Sequence, residues 1–437
     1  MKNYISFLIL LCSFSLSASS AQKKERKEQH LQYDNADYLA AIKSVQFYNA
    51  KEEQSLPLLP LNSDEQLFLS FDDLRGDGRT YYYTVEHCSA DWQRSNLSTI
   101  EYIEGLTEDR IYDYKNSVNT LQAYTHYQLK FPNEGSMKPK LAGNYLLKVY
   151  EDADQSKLIL TKKFYVYKQS VGVSIQVLPS FNVVKRKENQ KLNVTLNLGG
   201  LVVNNPYQDI KIVVKQNRRD DIQEMLTKPM FVKNGQLVYN NNTTLDFDGG
   251  NEFRTLDLRS FRLLSAQLSQ DTLDSIRKIT VMTDQDLSGE AYSFSFDENG
   301  KSYIRNNDFE DQDIEGDYAL VSFTLEAKKT PKPIEKVYIV GMFNHYKAEE
   351  ENEMKYDADK HIWQGTLFLK QGAYQYTYKR MENGNNKNDD PNAYNGHHFE
   401  TGNTYDVFVY YRKPATNWEE LVGFSSVNTS SVRDNAY

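Results

Sequence analysis

The sequence contains little cysteine, little proline and no long apolar run beyond its N-terminus. Its 437 residues include 2 cysteines, 11 prolines and 21 glycines. One cysteine, Cys12, lies in the N-terminal apolar stretch, which leaves Cys88 as the single thiol of a processed chain and excludes an internal disulfide. The fold must therefore be stabilised by hydrophobic cores, and the length allows about two to four domains.

The N-terminal residues 1–21 have the pattern of a secretory signal peptide. One positive charge is followed by an apolar run and then by small residues. The run is too short to cross a bilayer as a helix. A lipoprotein signal would use Cys12, but Leu11 precedes it where a small residue is expected. We therefore predict cleavage after Ala21, export of the chain, and a charged flexible lead-in over residues 22–30.

The balance of charge is acidic. The formal net charge is −9, and removing residues 1–21 with their one basic residue, Lys2, changes it to −10. Nucleic acids and anionic membranes both repel an acidic surface. We therefore predict that no nucleic acid is a partner and that the chain does not insert directly into a membrane.

Aromatic residues are abundant, and their spacing is typical of strands. There are 32 tyrosines and 21 phenylalanines, many of them in short runs where apolar and polar residues alternate. In "QLFLSFDDL", Leu67, Leu69 and Phe71 share one face. The same alternation occurs in two later runs with the residues Tyr127, Leu129, Phe131, Tyr145, Leu147 and Val149. Turn-forming residues separate the runs, so we predict an all-β fold of tandem antiparallel β-sandwiches of the immunoglobulin or fibronectin type III kind.

Three segments are predicted to form domains. The first covers residues 31–168 and ends with the strand pattern "KLILTKKFYVYK". The second covers residues 169–325, and the third covers residues 326–437. The boundary between the last two is placed at "KKTPKPIEK" (328–336), because lysine and proline are typical of linkers between domains.

The stretch "YYYTVEHCSADW" (81–92) contains the residue types of a nucleophilic site. A thiolate at Cys88 would need an adjacent base such as His87, with Asp91 as a third group. Neighbouring residues in a strand point to opposite faces, however, so His87 is poorly placed to activate Cys88. The alternation of the stretch predicts a strand end, with Cys88 as a small buried thiol and Trp92 in the turn that follows.

Two acidic stretches have some features of metal sites. Residues 311–322, "DQDIEGDYALVS", begin like a calcium loop but have Ser322 where a bidentate glutamate is required. The stretch "FDDLRGDG" is interpreted as a solvated turn carrying Asp72, Asp73 and Asp77.

Other signatures of catalysis or cofactor binding are missing. His397 and His398 are neighbours and should point apart in an extended segment. Glycine-rich phosphate loops and serine-centred nucleophile elbows do not occur in the sequence. We predict no enzymatic activity, no catalytic residue, no cofactor and no bound metal.

The third segment resembles the small sandwiches of glycogen- and starch-binding modules. The resemblance lies in a strand ending "GMFN", a following strand with tryptophan, and "GAYQYTY". Tyr374, Tyr376 and Tyr378 share a face and could stack on sugar rings or pack the core, and core packing is the commoner use of such residues. His345 and Tyr346 stand where those modules usually carry tryptophan, so the resemblance supports the fold more than sugar binding.

A second resemblance spans nearly the whole chain. The strings "LNSDEQLFLSFDDLRGD", "YYYTVEHCSADW", "GNYLLKVYED", "FDGGNEFRTLDLRSF" and "HHFETGNTYDVFVYYR" are similar, in this order, to the type IX secretion system plug proteins of Bacteroidota. This resemblance implies a periplasmic protein that closes the periplasmic mouth of a giant outer-membrane β-barrel translocon when no cargo is engaged. It implies no enzymatic activity, and it marks no individual contact residues.

Three functions therefore remain open at this point. The first is a plug that binds the translocon barrel through rigid, tyrosine-rich sandwiches. The second is a carbohydrate-binding protein of the periplasm or cell surface. The third is an enzyme that uses Cys88 or an acidic pair.

Overall fold

The computed structural model of the protein describes residues 30–133, 135–263, 265–382 and 389–430. The predicted signal peptide, the Ala21 cleavage site, Cys12 and most of the lead-in lie outside these ranges. Strand accounts for 46% and helix for 4% of the chain, which confirms the predicted all-β class. No helix in the described ranges has the length and apolar character needed to cross a membrane.

The first unit, the N-terminal sandwich, contains twelve strands and one short helix, α1 (Thr99–Tyr102). The strands are β1 (Ala36–Asp37), β2 (Ile42–Asn49), β3 (Leu58–Pro60), β4 (Leu67–Asp73), β5 (Tyr81–Cys88), β6 (Ile103–Gly105), β7 (Asp109–Arg110), β8 (Asp113–Asn116), β9 (Thr125–Phe131), β10 (Met137–Pro139), β11 (Gly143–Glu151) and β12 (Leu158–Tyr167). One sheet has the order β1-β12-β11-β5-β7, with β3 parallel to β12, and the facing sheet has the order β2-β4-β9-β8.

The alternation seen in the sequence builds the core of this sandwich. Leu67, Leu69 and Phe71 of β4 are buried, as predicted, and Phe71 stacks on Tyr127 of β9 with ring centroids 5.1 Å apart. The equivalent residues of β9 and β11 also lie in this core. The two sheets are thus held together by residues that occupy every second position of each strand.

The second unit, the middle sandwich, begins with seven strands and the short helix α2 (Pro206–Asp209). The strands are β13 (Gly172–Pro179), β14 (Asn189–Asn197), β15 (Ile210–Gln216), β16 (Gln223–Leu226), β17 (Phe231–Lys233), β18 (Gln236–Tyr239) and β19 (Asp246–Asp248). One of its sheets has the order β13-β14-β18-β17, with β19 beside β14.

The third unit, the inserted sandwich, interrupts the middle one. Its strands are β20 (Arg254–Asp257), β21 (Leu268–Leu273), β22 (Arg277–Val281), β23 (Tyr303–Ile304), β24 (Tyr318–Glu326), β25 (Glu335–Gly341), β26 (Lys355–Asp357), β27 (Ile362–Lys370) and β28 (Gly372–Glu382), with 3₁₀ turns at Met342–Asn344 and Glu350–Asn352. The sheets are β21-β22-β24-β27-β26, in which β22 and β24 are parallel, and β20-β28-β23, with β25 also paired to β28.

The last two strands return to the middle sandwich. They are β29 (Thr404–Tyr411) and β30 (Glu420–Asn428), and they complete the sheet β16-β15-β29-β30. The two connections to the inserted sandwich lie side by side, because Asn403 Nδ2 donates to Gly249 O at 2.8 Å and Thr401 Oγ1 donates to Gly250 O at 2.7 Å.

This topology corrects the predicted boundary between residues 325 and 326. The boundary falls inside strand β24 (Tyr318–Glu326). This strand pairs along its whole length with β27, from Tyr318 opposite Lys370 to Glu326 opposite Ile362. The segment 328–336 is therefore a connection inside the inserted sandwich. Lysine and proline mark a loop, but the pairing of strands distant in sequence is not visible in local composition.

Candidate functional site

The stretch 81–92 is the end of a strand, as predicted, and its two reactive residues point in opposite directions. His87 lies in the N-terminal core against Tyr145, with ring centroids 5.0 Å apart, and Nδ1 is 2.8 Å from Ser95 Oγ. Burial lowers the pKa of His87 to about 4. The ring lies so close under Gly143 that any side chain there would collide with it.

Cys88 faces away from His87, toward the middle sandwich. Burial, reinforced by the charge of Glu86, raises the pKa of the thiol to about 12, so the thiolate needed for nucleophilic chemistry is not formed near neutral pH. Trp92 is also buried; its ring contacts Tyr165 edge-on at 5.5 Å and lies 4.7 Å from Lys163 Nζ. This region is packed between two sandwiches.

The interface between the N-terminal and middle sandwiches is mainly apolar. Tyr165 of β12 stacks on Phe408 of β29 with centroids 4.5 Å apart. The surrounding buried residues from both sides are Cys88, Ala90, Trp92, Leu146, Val213, Tyr410 and Leu421. The polar tips are satisfied, since Lys215 Nζ donates to Tyr165 Oη at 2.8 Å and Tyr410 Oη donates to Asn144 Oδ1 at 2.7 Å.

The predicted solvated turn at Asp72, Asp73 and Asp77 is only partly correct. Asp77 is exposed beside Arg79, but Asp72 and Asp73 are completely buried. Asp73 is held inside the N-terminal sandwich by Arg75. Asp72 sits at the end of β4, where the inserted sandwich covers it.

Asp72 is the centre of a buried ionic cluster that joins these two sandwiches. Lys370 Nζ lies 2.8 Å and Tyr318 Oη 2.7 Å from Asp72 Oδ2, while His126 Nδ1 lies 2.6 Å from Oδ1. Lys370 also donates to Asp313 O at 3.1 Å. Its Nζ lies 4.1 Å from the centroid of the Tyr124 ring.

The electrostatics of this cluster keep Asp72 ionised. Burial opposes ionisation, but the charge of Lys370 and the hydrogen bond from His126 are stronger together, so the pKa of Asp72 lies below its usual range. Burial and the charge of Asp72 raise the pKa of Tyr318 well above 10.0, which keeps its hydroxyl a donor. A fully buried Lys–Asp pair is tolerated because Asp72 accepts three hydrogen bonds and Lys370 has a second acceptor in Asp313 O.

A second ionic cluster lies where the middle and inserted sandwiches meet. Arg219, which is buried, forms a paired contact with Asp221 at 2.9 Å and lies 4.3 Å from the centroid of the Tyr346 ring. Lys379 Nζ also donates to Asp221 at 2.8 Å. The neighbouring His345 is 2.7 Å from Lys162 Nζ of the N-terminal sandwich. His345 and Tyr346, which stand where carbohydrate-binding modules usually carry tryptophan, therefore help to join the three sandwiches.

The calcium-like stretch 311–322 also serves an interface. Gln128 Nε2 donates to Asp313 at 2.9 Å, and the backbone N–H of Leu121 donates to Asp317 at 2.9 Å, both from the N-terminal sandwich. Ser322 lies inside β24. Across the described ranges, no three His, Cys, Asp or Glu side chains come together in a way that could hold a metal ion.

Tyr374, Tyr376 and Tyr378 belong to the core of the inserted sandwich and are buried. The hydroxyls of Tyr376 and Tyr378 donate to Asp284 at 2.7 and 2.6 Å. These rings therefore pack the core, which is the commoner use of such residues, and they are not available as a platform for sugars.

His397 and His398 have different neighbours, as their adjacency predicts. His397 Nε2 lies 3.3 Å from Asp390, while the His398 ring lies 5.6 Å from the Tyr292 ring. Burial opposes protonation of His397, but the hydrogen bond to Asp390 outweighs it and raises the pKa.

A cavity of about 400 Å³ lies between the N-terminal and inserted sandwiches. A bulge in β2 breaks the alternation there, so four consecutive residues, 43–46, line the cavity together. The opposite wall includes Phe343 and Leu367, and Gln46 Nε2 has no hydrogen-bond partner in the described part of the chain. The cavity could admit an apolar group with one acceptor atom.

Sequence reasoning missed the buried lysines that join the sandwiches. Lys162 and Lys215 lie in strands that are mostly apolar, "LILTKKFYVY" and "IKIVVKQ". A lysine at such a position signals a buried ionic partner, although nothing in the sequence says which residue that partner is. Lys370 ends "TLFLK" and resembles a solvated strand end.

Comparisons with known proteins agree with this architecture. Residues 42–168, which fall within the N-terminal sandwich, match the family described as "Type 9 secretion system plug protein 1st domain". A crystal structure of a hypothetical protein from Parabacteroides merdae ATCC 43184 is similar over 91% of this chain and 100% of that chain, with 30% identity and a TM-score of 0.86. Trypsin-activated α2-macroglobulin from Escherichia coli matches 88% of this chain and 23% of that chain with 9% identity and a TM-score of 0.17, which is too weak a similarity to bear on the fold. No curated protein matches the chain.

Proposed function

The chain belongs to the type IX secretion system plug protein family, and from this premise we propose that it binds and seals the periplasmic opening of the system's outer-membrane β-barrel translocon when no cargo is engaged. The observation that carries the proposal is the match of residues 42–168 to the plug domain. The protein acts from the periplasm, to which residues 1–21 direct it, and reaches the outer membrane through its barrel partner.

The way the three sandwiches are joined supports this role. A plug has to cover a wide opening without being deformed by it. The ionic cluster at Asp72, the apolar contact at Tyr165 and Phe408, and the contact of Arg219 with Tyr346 connect every pair of sandwiches. A body fixed in this way offers a broad surface and loses little conformational entropy on binding.

The proposed role requires no chemistry, and we propose that the chain is not an enzyme. The high pKa of Cys88 is consistent with that, since its thiol stays protonated. The carbohydrate-binding alternative would have relied on Tyr374, Tyr376 and Tyr378, which are buried. Retention of the purified protein on a glucan column would revive it.

A deletion strain tests the proposal directly. Without the plug, the barrel should stay open in the absence of cargo, so large antibiotics or dyes should enter the cells. A second strain that lacks both plug and barrel is the matched control and should not leak. Restoring the gene should close the pore again. Unchanged permeability in cells that contain a cargo-free barrel would contradict the proposed function.

A further inference from the structure

The loop between β13 and β14 carries exposed apolar residues directly before a run of basic ones. Phe181, Val183 and Val184 expose 47%, 81% and 85% of their surfaces. The next three residues, 185–187, are Lys-Arg-Lys, and all of residues 181–188 are exposed. Neighbouring apolar side chains this exposed mark a candidate contact surface.

The loop has a defined shape. Ser180 Oγ donates to Asp246 at 2.7 Å, and the N–H of Val184 donates to Asn182 Oδ1 at 3.1 Å. The N–H of Asn189 donates to Lys185 O at 2.8 Å and closes the turn. Because these bonds fix the backbone, Val183 and Val184 are held exposed to solvent. The loop therefore does not need to become ordered when it contacts a partner surface.

The charge of the loop is opposite to that of the protein. The chain carries a formal net charge of −9, whereas residues 185–187 carry three positive charges. Asp248 lies 3.4 Å from Lys185, but both side chains are about half exposed, so solvent screens that pair. Glu188 follows the run. The loop is therefore a local positive patch that complements a negatively charged surface.

We propose that the loop 181–187 docks onto an anionic phospholipid surface. In this arrangement the valines and Phe181 enter the boundary between headgroups and acyl chains, and the three cations stay at the phosphates. An exposed aliphatic tip followed by three cations matches the two layers of a membrane surface, which are an apolar interior and charged headgroups. The expectation that an acidic chain avoids membranes holds for its average charge, whereas binding depends on the local distribution.

A second apolar loop in the same protein provides a matched control. Phe294 and Phe296 are 71% and 73% exposed, but Asp297 and Glu298 follow them. The two loops thus present similar apolar exposure with opposite flanking charge. If exposed apolar surface alone drove membrane binding, both loops would contribute, whereas the proposal assigns binding to the basic loop.

Flotation of the full processed chain with lipid vesicles tests the proposal. We expect binding to vesicles of equal parts phosphatidylcholine and phosphatidylglycerol at low salt, and much weaker binding to phosphatidylcholine alone. Replacing Val183 and Val184 together by serine should lower binding at least about fivefold. Replacing Lys185, Arg186 and Lys187 together by glutamine should remove the preference for anionic lipid. Phe294→Ser with Phe296→Ser should bind like the wild type.

Three results would overturn the proposal. The wild type could fail to bind anionic vesicles at low salt, or the Phe294/Phe296 variant could lose as much binding as the valine variant. In the third result, the valine variant would bind vesicles normally but lose affinity for the purified barrel in detergent. The loop would then be a contact with protein and not with lipid. Melting temperatures of all variants must match the wild type. This test does not depend on the permeability test of the proposed function.

Discussion

The N-terminal sandwich contacts its two neighbours in two different ways. Toward the middle sandwich it presents apolar rings, with Tyr165 stacked on Phe408. Toward the inserted sandwich it presents a carboxylate, Asp72, that meets Lys370 in a fully buried pair. Apolar attraction is non-directional, while a buried ion pair is favourable only when its geometry is good. The difference suggests that the first contact supplies most of the cohesion and the second fixes the relative orientation.

The largest effect should follow from breaking the ionic contact on one side only. Lys370→Met leaves Asp72 buried without its cation and should lower the free energy of unfolding by about 4 kcal/mol. Chemical denaturation monitored by circular dichroism gives the value. The double variant Lys370→Met with Asp72→Asn is the control and should recover a large part of the loss. A cost below about 1 kcal/mol for the single variant would contradict this, because it would show that the buried Asp72 carboxylate is stable without Lys370.

A slightly smaller effect is expected at the apolar contact. Leu421 is fully buried against the N-terminal sandwich, and Leu421→Ala should cost about 3 kcal/mol through lost contacts and the cavity left behind. The same denaturation experiment measures it, and Leu421→Met serves as a volume-conserving control that should cost less. If raising the salt concentration changed the cost of Leu421→Ala, the interface would not be apolar in the way described.

The pH dependence should separate the two interfaces. The folded pKa of Asp72 lies below its unfolded value, so its stabilising contribution is present above the unfolded pKa, about 3.9, and is lost as the pH falls through the folded pKa. Asp72→Asn keeps an acceptor oxygen for Lys370, so it should cost less than Lys370→Met, about 2 kcal/mol near neutral pH. The cost should become progressively smaller in acid. Titrating the stability difference between pH about 7 and about 3 tests this. The cost of Leu421→Ala should stay constant over that range, and a parallel decline in both variants would contradict the comparison.

The smallest effect should come from the thiol at the apolar contact. Cys88→Ser places a hydroxyl in a buried apolar setting and should cost about 1–2 kcal/mol without loss of barrel binding. Native wild-type protein should react slowly with iodoacetamide at neutral pH, because the pKa of Cys88 is raised to about 12. Protein unfolded in urea provides the reactive control. A folded Cys88→Ser variant without any function would reveal a role for the thiol.

Local patterns in the sequence predicted the strands and which way their side chains point. Alternation placed Leu67, Leu69 and Phe71 in the core, and it separated His87 from Cys88. Such predictions succeed because a strand has a period of two, which a short window reveals. The same alternation favoured a position in the core for the tyrosines of β28.

Contacts between distant residues could not be predicted in this way. Asp72 resembles part of a turn until Lys370, 298 residues later, is brought against it. The return of β29 and β30 to the middle sandwich has no local signature either, since their sequences would suit a strand in any sandwich. Charge at a strand end indicates a polar environment but does not say whether that environment is water or a partner.

The nested position of the inserted sandwich also determines the order in which the chain can fold. Strand β29 lies between β15 and β30 in the sheet, yet both β29 and β30 are synthesised after every strand of the inserted sandwich. When a chain emerges N-terminus first, every strand of the inserted sandwich is therefore available while the middle sandwich still lacks half of a sheet. Until the last strands arrive, β15 keeps an open edge that other chains could pair with, so the final step of folding is also the step most exposed to aggregation.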